Sequence, residues 1–261
     1  MLKRPTHSLI LPASREGGSE QRAGQGLWVS RRELLAWCGA GVATAALVSA
    51  SKALASDASL DFDDFIVAAN EAAEALLEDQ SAAGQDRYLR TLGAHAAGLA
   101  DAPAPAAWRD SGQSDGPGTY IGFNPGGERF VVLQWRMDPG ARILPHAHTY
   151  GNVLTVGLEG SVRVRNFEVV GQRDYRSNAG FTARCTVDQR LEAGDINIVS
   201  LERNYVHGFD AGQEGGRGLD ITTRLKPKPE YSVPYLDLGE RPDVGPADGA
   251  FRSRWYRRQA P

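Results

Sequence analysis

From about residue 118 the chain breaks into short runs rich in branched and aromatic residues, split by Gly, Pro and Asn. This texture restricts the fold more than any other feature, because short strands at regular spacing with turn residues between them close into a sandwich or barrel. The runs predict strands at 119–123, 129–137, 142–148, 152–158, 161–169, 182–187, 195–200, 205–210 and 217–225. Asn124-Pro125-Gly126-Gly127, Asp138-Pro139-Gly140 and Glu192-Ala193-Gly194-Asp195 supply turns. Ahead of them, Phe62, Phe65, Ile66, Ala69, Ala72, Ala73, Leu76 and Leu77 recur at three and four, which predicts a helix over 60–80. Asp61, Asp63 and Asp64 lie where a helix N-terminus favours negative charge. A second helix is expected over 85–99, with Tyr88, Leu89, Leu92 and Leu99 on its apolar stripe. Ala102-Pro103-Ala104-Pro105 ends the helical part. After Leu225 the chain is rich in proline and reads as an extended tail over the surface, with Arg252 to Arg258 as a solvated basic end.

The segment 1–55 stands apart from the fold. Ser30-Arg31-Arg32-Glu33-Leu34-Leu35 leads into a weakly apolar run from Leu34 to Ala50, and Ala53-Leu54-Ala55 offers a small-residue cleavage site. The pattern resembles a bacterial twin-arginine export signal. It implies a periplasmic or exported protein, handled by the twin-arginine machinery and free of stable membrane insertion after cleavage. The run from Leu34 to Ala50 is dominated by Ala, Gly, Ser and Thr, and is short and poor in Leu and Ile for a membrane span. The segment carries seven basic and three acidic side chains. The remainder then holds 22 basic and 29 acidic, a net charge of −7, which argues against a nucleic-acid partner. Only Cys185 remains beyond the signal, so neither an internal disulfide nor a Cys-rich zinc site is available.

Three of the five histidines form one pattern: His146 and His148 in Pro145-His146-Ala147-His148, and His207 much later in the chain. Residues two apart on a strand share a face, and a third imidazole from a neighbouring strand would complete one side of a metal's coordination shell. His7 lies in the signal and His95 in the second helix, where a packed histidine is expected. Neutral imidazoles suit iron, zinc, copper or nickel. Three of them leave the full charge of a divalent ion uncancelled, so the open positions favour an anionic donor such as a thiolate or enolate. Zinc with a bound water would imply hydrolytic or lytic chemistry instead.

Gly140, five residues, His-x-His, four residues, Val153, six residues and Gly160 together resemble the first motif of the cupins. Gly194-Asp195-Ile196 followed by His207 resembles the second motif. The resemblance covers roughly residues 118–225. It implies an all-β fold: a cupin-type jelly-roll barrel preceded by two N-terminal helices. The domains expected are 1–55 signal, 56–105 helices, 106–225 barrel and 226–261 tail. Most metal-binding cupins place a Glu where this chain has Val153. A three-histidine set with a Pro-His-x-His opening looks like the thiol dioxygenases, which use non-haem iron. That branch implies Fe(II), O₂ and a small thiol substrate oxidised to a sulfinic acid. This chain departs from it at three places. Tyr120 stands at the substrate-binding arginine position, Val153 at the cysteine of the Cys–Tyr crosslink, and Asp220, Thr222 and Arg224 at the Ser-x-His-x-Tyr triad. A dioxygenase of a diketone or phenol, and a periplasmic cupin that binds metal or ligand without turnover, are the alternatives.

The pocket residues expected are Tyr120, Tyr150, Val153, Tyr205 and Arg224. Tyr205 shares a strand face with His207 if that strand is regular, and otherwise is an ordinary barrel aromatic. Tyr150 follows His148 closely enough to line the mouth. Asp220, Thr222 and Arg224 share one face of the last strand, opposite Leu219, Ile221, Thr223 and Leu225. The polar face is expected to meet water; turned inward, it would offer Arg224 to a substrate anion.

Overall fold

The computed structural model describes residues 60–99, 101–111, 117–171, 174–177, 179–226, 233–239 and 250–257. The export-signal reading lies outside them. Two helices come first, α1 (Phe62–Glu78) and α2 (Ala82–Ala97). Asp61 caps α1 by accepting the Asp64 N–H, and Ser81 caps α2 by accepting the Gly84 N–H. Twelve strands follow: β1 (Arg109–Asp110), β2 (Thr119–Asn124), β3 (Phe130–Met137), β4 (Arg142–Ala147), β5 (Gly151–Gly160), β6 (Val162–Val170), β7 (Phe181–Leu191), β8 (Ile196–Val199), β9 (Val206–Asp210), β10 (Gly216–Arg224), β11 (Pro234–Asp237) and β12 (Ala250–Arg257).

The pairing orders are β1-β2-β3-β10-β5-β8 and β11-β12-β7-β6-β9-β4. Counted from β3 to β10, the eight central strands therefore run 1-8-3-6 in one sheet and 5-4-7-2 in the other. That interleaving is the double-sheet jelly roll, the architecture that cupins use. The two helices and the barrel expected from the sequence are both present. β1 and β2 extend the first sheet, and β11 pairs with both β12 and β4 to close the second.

Both faces of the first sheet are covered. Leu154, Val156, Ile196, Leu219 and Ile221 face outward and bury against Phe65, Ala69, Leu89 and Leu92 of the helices. The Tyr88 hydroxyl bonds Thr223 at 2.5 Å, and Arg203 pairs with Asp86, tying α2 to the barrel. The helices claim the apolar face of β10, so its polar face turns into the barrel. This corrects the expectation for Asp220, which is 9% exposed and accepts a 2.6 Å hydrogen bond from Thr155, whereas Thr222 is half-buried and Arg224 meets water as expected.

The C-terminal reading also changes. Pro234–Asp237 and Ala250–Arg257 are strands rather than a loose wrap. Phe251, Ser253 and Trp255 are buried while Arg252 and Arg254 between them are exposed, the period-2 pattern of a strand with one wet face. Leu236, Phe251 and Trp255 join Phe167, Val169 and Tyr205 in a second apolar cluster.

Candidate metal centre

A bulge aims the first histidine. Ile143 pairs with Phe209 and His146 with His207, so β4 spends one residue more than β9 between the two pairs. Pro145, which has no N–H to give to a ladder, sits in that irregular stretch. Gly208 opposite has no side chain; a Cβ there would lie 3.0 Å from the Cα and nitrogen of Pro145. The bare backbone of β9 lets the bulge close over it. His148 follows directly after the end of β4, and its backbone N–H donates to the Tyr205 carbonyl at 3.0 Å.

The three imidazoles converge. Ring centroids lie 5.0 Å apart for His146 and His148, and 4.8 Å for each of these with His207. One ligand nitrogen from each lies within 4.8 Å of the others. Among the described residues no carboxylate or thiol joins the group. The Nε2 atoms of His148 and His207 approach to 2.9 Å.

Burial keeps all three rings neutral. Loss of hydration pushes the His146 pKa down to about 4, offset in part by its hydrogen bond to the Leu144 carbonyl. It holds His148 and His207 well below the ordinary range, with the neighbouring imidazoles adding to the effect. A neutral imidazole with a free lone pair is the form that ligates metal. The Leu144 carbonyl accepts from Nδ1 of His146 at 2.9 Å, which leaves Nε2 as its ligand atom.

Val153 is fully buried and pairs with Val199 and Thr222, so an aliphatic side chain fills the position where most metal-binding cupins carry a carboxylate. Tyr150 is half-buried, and burial raises its pKa against the opposing pull of the exposed Arg224 guanidinium. Tyr205 meets the centre through its backbone carbonyl, which accepts from the His148 N–H, while its side chain and Tyr120 make other contacts. The Tyr205 hydroxyl accepts the Val169 N–H at 2.7 Å and its ring lies edge-on to Tyr175. Tyr120 sits under the Arg136 guanidinium on the sheet extension, with its hydroxyl 3.4 Å from Asp138.

Several neighbours carried no sequence motif. Phe209 packs edge-on against His207 at 4.7 Å, and Tyr235 of β11 pairs with His146. Asn166 pairs with His207 across the β6–β9 ladder, and its amide donates to Asn197 across the barrel at 2.8 Å. Burial pushes the Asp220 carboxyl up to about 6, against the hydrogen bond from Thr155.

No family model and no curated protein matches the chain. Solved structures similar to it include KdgF from Halomonas sp., at 17% identity over 46% of this chain and 88% of that one, TM-score 0.34. An RmlC-like cupin from Shewanella frigidimarina matches at 18% identity over 49% and 97%, TM-score 0.33. The polyketide cyclase RemF from Streptomyces resistomycificus matches at 21% over 54% and 84%, TM-score 0.35. The assignment to the jelly-roll barrel rests on the strand order itself.

Proposed function

We propose that this chain is an exported metal-dependent cupin that oxidises a small thiol, or a similar anionic ligand, with dioxygen. His146, His148 and His207 would hold one divalent ion, iron(II). The observation that carries the reading is the donor set: three converging imidazoles, His146 and His207 buried and His148 half-buried, with Val153 in place of a carboxylate. Neutral ligands leave the ion's charge for an anionic substrate to offset. The choice of iron rests on the resemblance of Pro145-His146-Ala147-His148 and His207 to the thiol dioxygenases. Iron(II), if bound there by His146, His148 and His207, would supply binding of the substrate anion and O₂ at one ion. The chain's own part is to keep the ligand nitrogens unprotonated by burial, to fix the His146 ring through Leu144, and to pack Phe209 against the His207 ring. For a thiol RSH, both oxygen atoms of one O₂ enter the product RSO₂H, so no further reductant is consumed. The Ser30-to-Leu35 signal supports a periplasmic location, where folded proteins arrive by the twin-arginine route.

Oxygen uptake by the iron-loaded protein, with small thiols against diketones and catechols, tests this. The expected result is uptake with a thiol and sulfinate as product. Uptake with diketones or catechols alone would move the assignment to that substrate class. No uptake with iron fully loaded would leave a metal- or ligand-binding module.

A further inference from the structure

If Nε2 of His207 faces a cation, the ring's one proton must sit on Nδ1. That Nδ1 is buried and has no hydrogen-bond partner. His146 has solved the same problem with the Leu144 carbonyl. Directly opposed residues of an antiparallel pair project from one face with Cβ atoms about 4.5–5.5 Å apart, and the residue opposed to His207 on β6 is Asn166. Asn166 is fully buried. Its Nδ2 donates to Asn197 Oδ1 at 2.8 Å and to the Ile198 carbonyl at 3.2 Å. Two acceptors around one end of the amide decide which end is nitrogen. The other end, Oδ1, is buried with no donor. An acceptor without a donor therefore lies across the ladder from a donor without an acceptor. A cleft of about 40 Å³ beside α2, lined by Asp86, Arg90 and Arg203, reaches both Asn166 and Asn197. A cavity needs about 10–15 Å³ to hold one water, so the cleft has room for at least one.

We infer that Asn166 is the positioning residue of His207: its side-chain oxygen holds the Nδ1 proton through one bridging water, and so presents Nε2 unprotonated to the ion. Asn197 acts one step further out by holding the Asn166 amide in the orientation this requires. The inference rests on the reading of the three histidines as ligands.

Cobalt(II) titration of the metal-free protein, followed by its visible absorption, tests it with wild type, Asn166→Leu, Asn166→Asp and His207→Ala. Asn166→Leu keeps the volume and removes the acceptor. It should weaken cobalt binding roughly 10- to 100-fold, and should also lower the melting temperature of the metal-free protein, because Asn197 Oδ1 and the Ile198 carbonyl lose their donor, as they also do in Asn166→Asp. Asn166→Asp keeps an acceptor and should restore binding. In the zinc-loaded wild type, ¹⁵N NMR should show His207 protonated at Nδ1. Wild-type cobalt affinity in Asn166→Leu, or equal losses in the Leu and Asp variants, would overturn the role of Asn166. Wild-type affinity in His207→Ala would overturn the ligand assignment instead.

Discussion

Asp220 holds a carboxyl inside the barrel, where the described neighbours on its face include Thr155 and Trp135 but no cation. Its pKa rises from 3.8 to about 6. The folded state therefore binds this proton more tightly than the unfolded state, and stability falls as pH rises from about 4 to 6. Above that window the penalty is constant, on the order of 3 kcal/mol. Asp220→Asn removes it, so in metal-free protein the variant should gain up to about 3 kcal/mol at pH 7.5, and the gain should shrink as pH falls towards 4. Urea unfolding at pH 7.5 and pH 5 measures this; the same difference at both would contradict the assignment. The histidines slope the other way. His146, with a folded pKa of about 4 against 6.5, contributes stability that is complete above 6.5 and is lost as pH falls towards 4. At this scale the sequence was legible where chemistry repeats at fixed spacing, as in His146, His148 and the later His207. Asn166 was not, because an asparagine in a strand carries no motif and its unpaired oxygen exists only once two strands lie side by side.

The helices and the bulge govern what each strand presents. The alternation of β10 was readable, but alternation gives two faces without saying which is inside. That depended on α1 and α2, whose apolar stripes cover Leu219 and Ile221 and leave Asp220 to the interior. The β4 bulge was equally hidden: Pro145 marks an irregularity, yet its consequence needs Gly208 opposite. A methyl group on Gly208 would press on backbone atoms of Pro145 that have little room to yield. Gly208→Ala should cost roughly 1–3 kcal/mol and, by moving β4 from β9, separate His146 from His207. Thermal unfolding with and without cobalt checks this, and a variant stabilised by cobalt as strongly as wild type would show that the close approach is dispensable.

Across the whole molecule, nine of the strands and both helices follow from periodicity and turn residues, because each is long enough to show its period. β1 has two residues and showed none. β11 and β12 were obscured by the prolines and arginines around them, although Phe251, Ser253 and Trp255 alternate with charged residues in the way a half-buried strand requires. Closing the second sheet with this C-terminal pair places Tyr235 beside His146, so the end of the chain helps to enclose the centre. The central claim is that one ion binds where β4 and β9 meet. Elemental analysis of protein loaded anaerobically with iron(II) and desalted tests it most directly, in wild type and in His146→Ala, His148→Ala and His207→Ala. The account predicts one iron per chain in wild type and almost none in each variant. Full iron occupancy in any one of the three would contradict it.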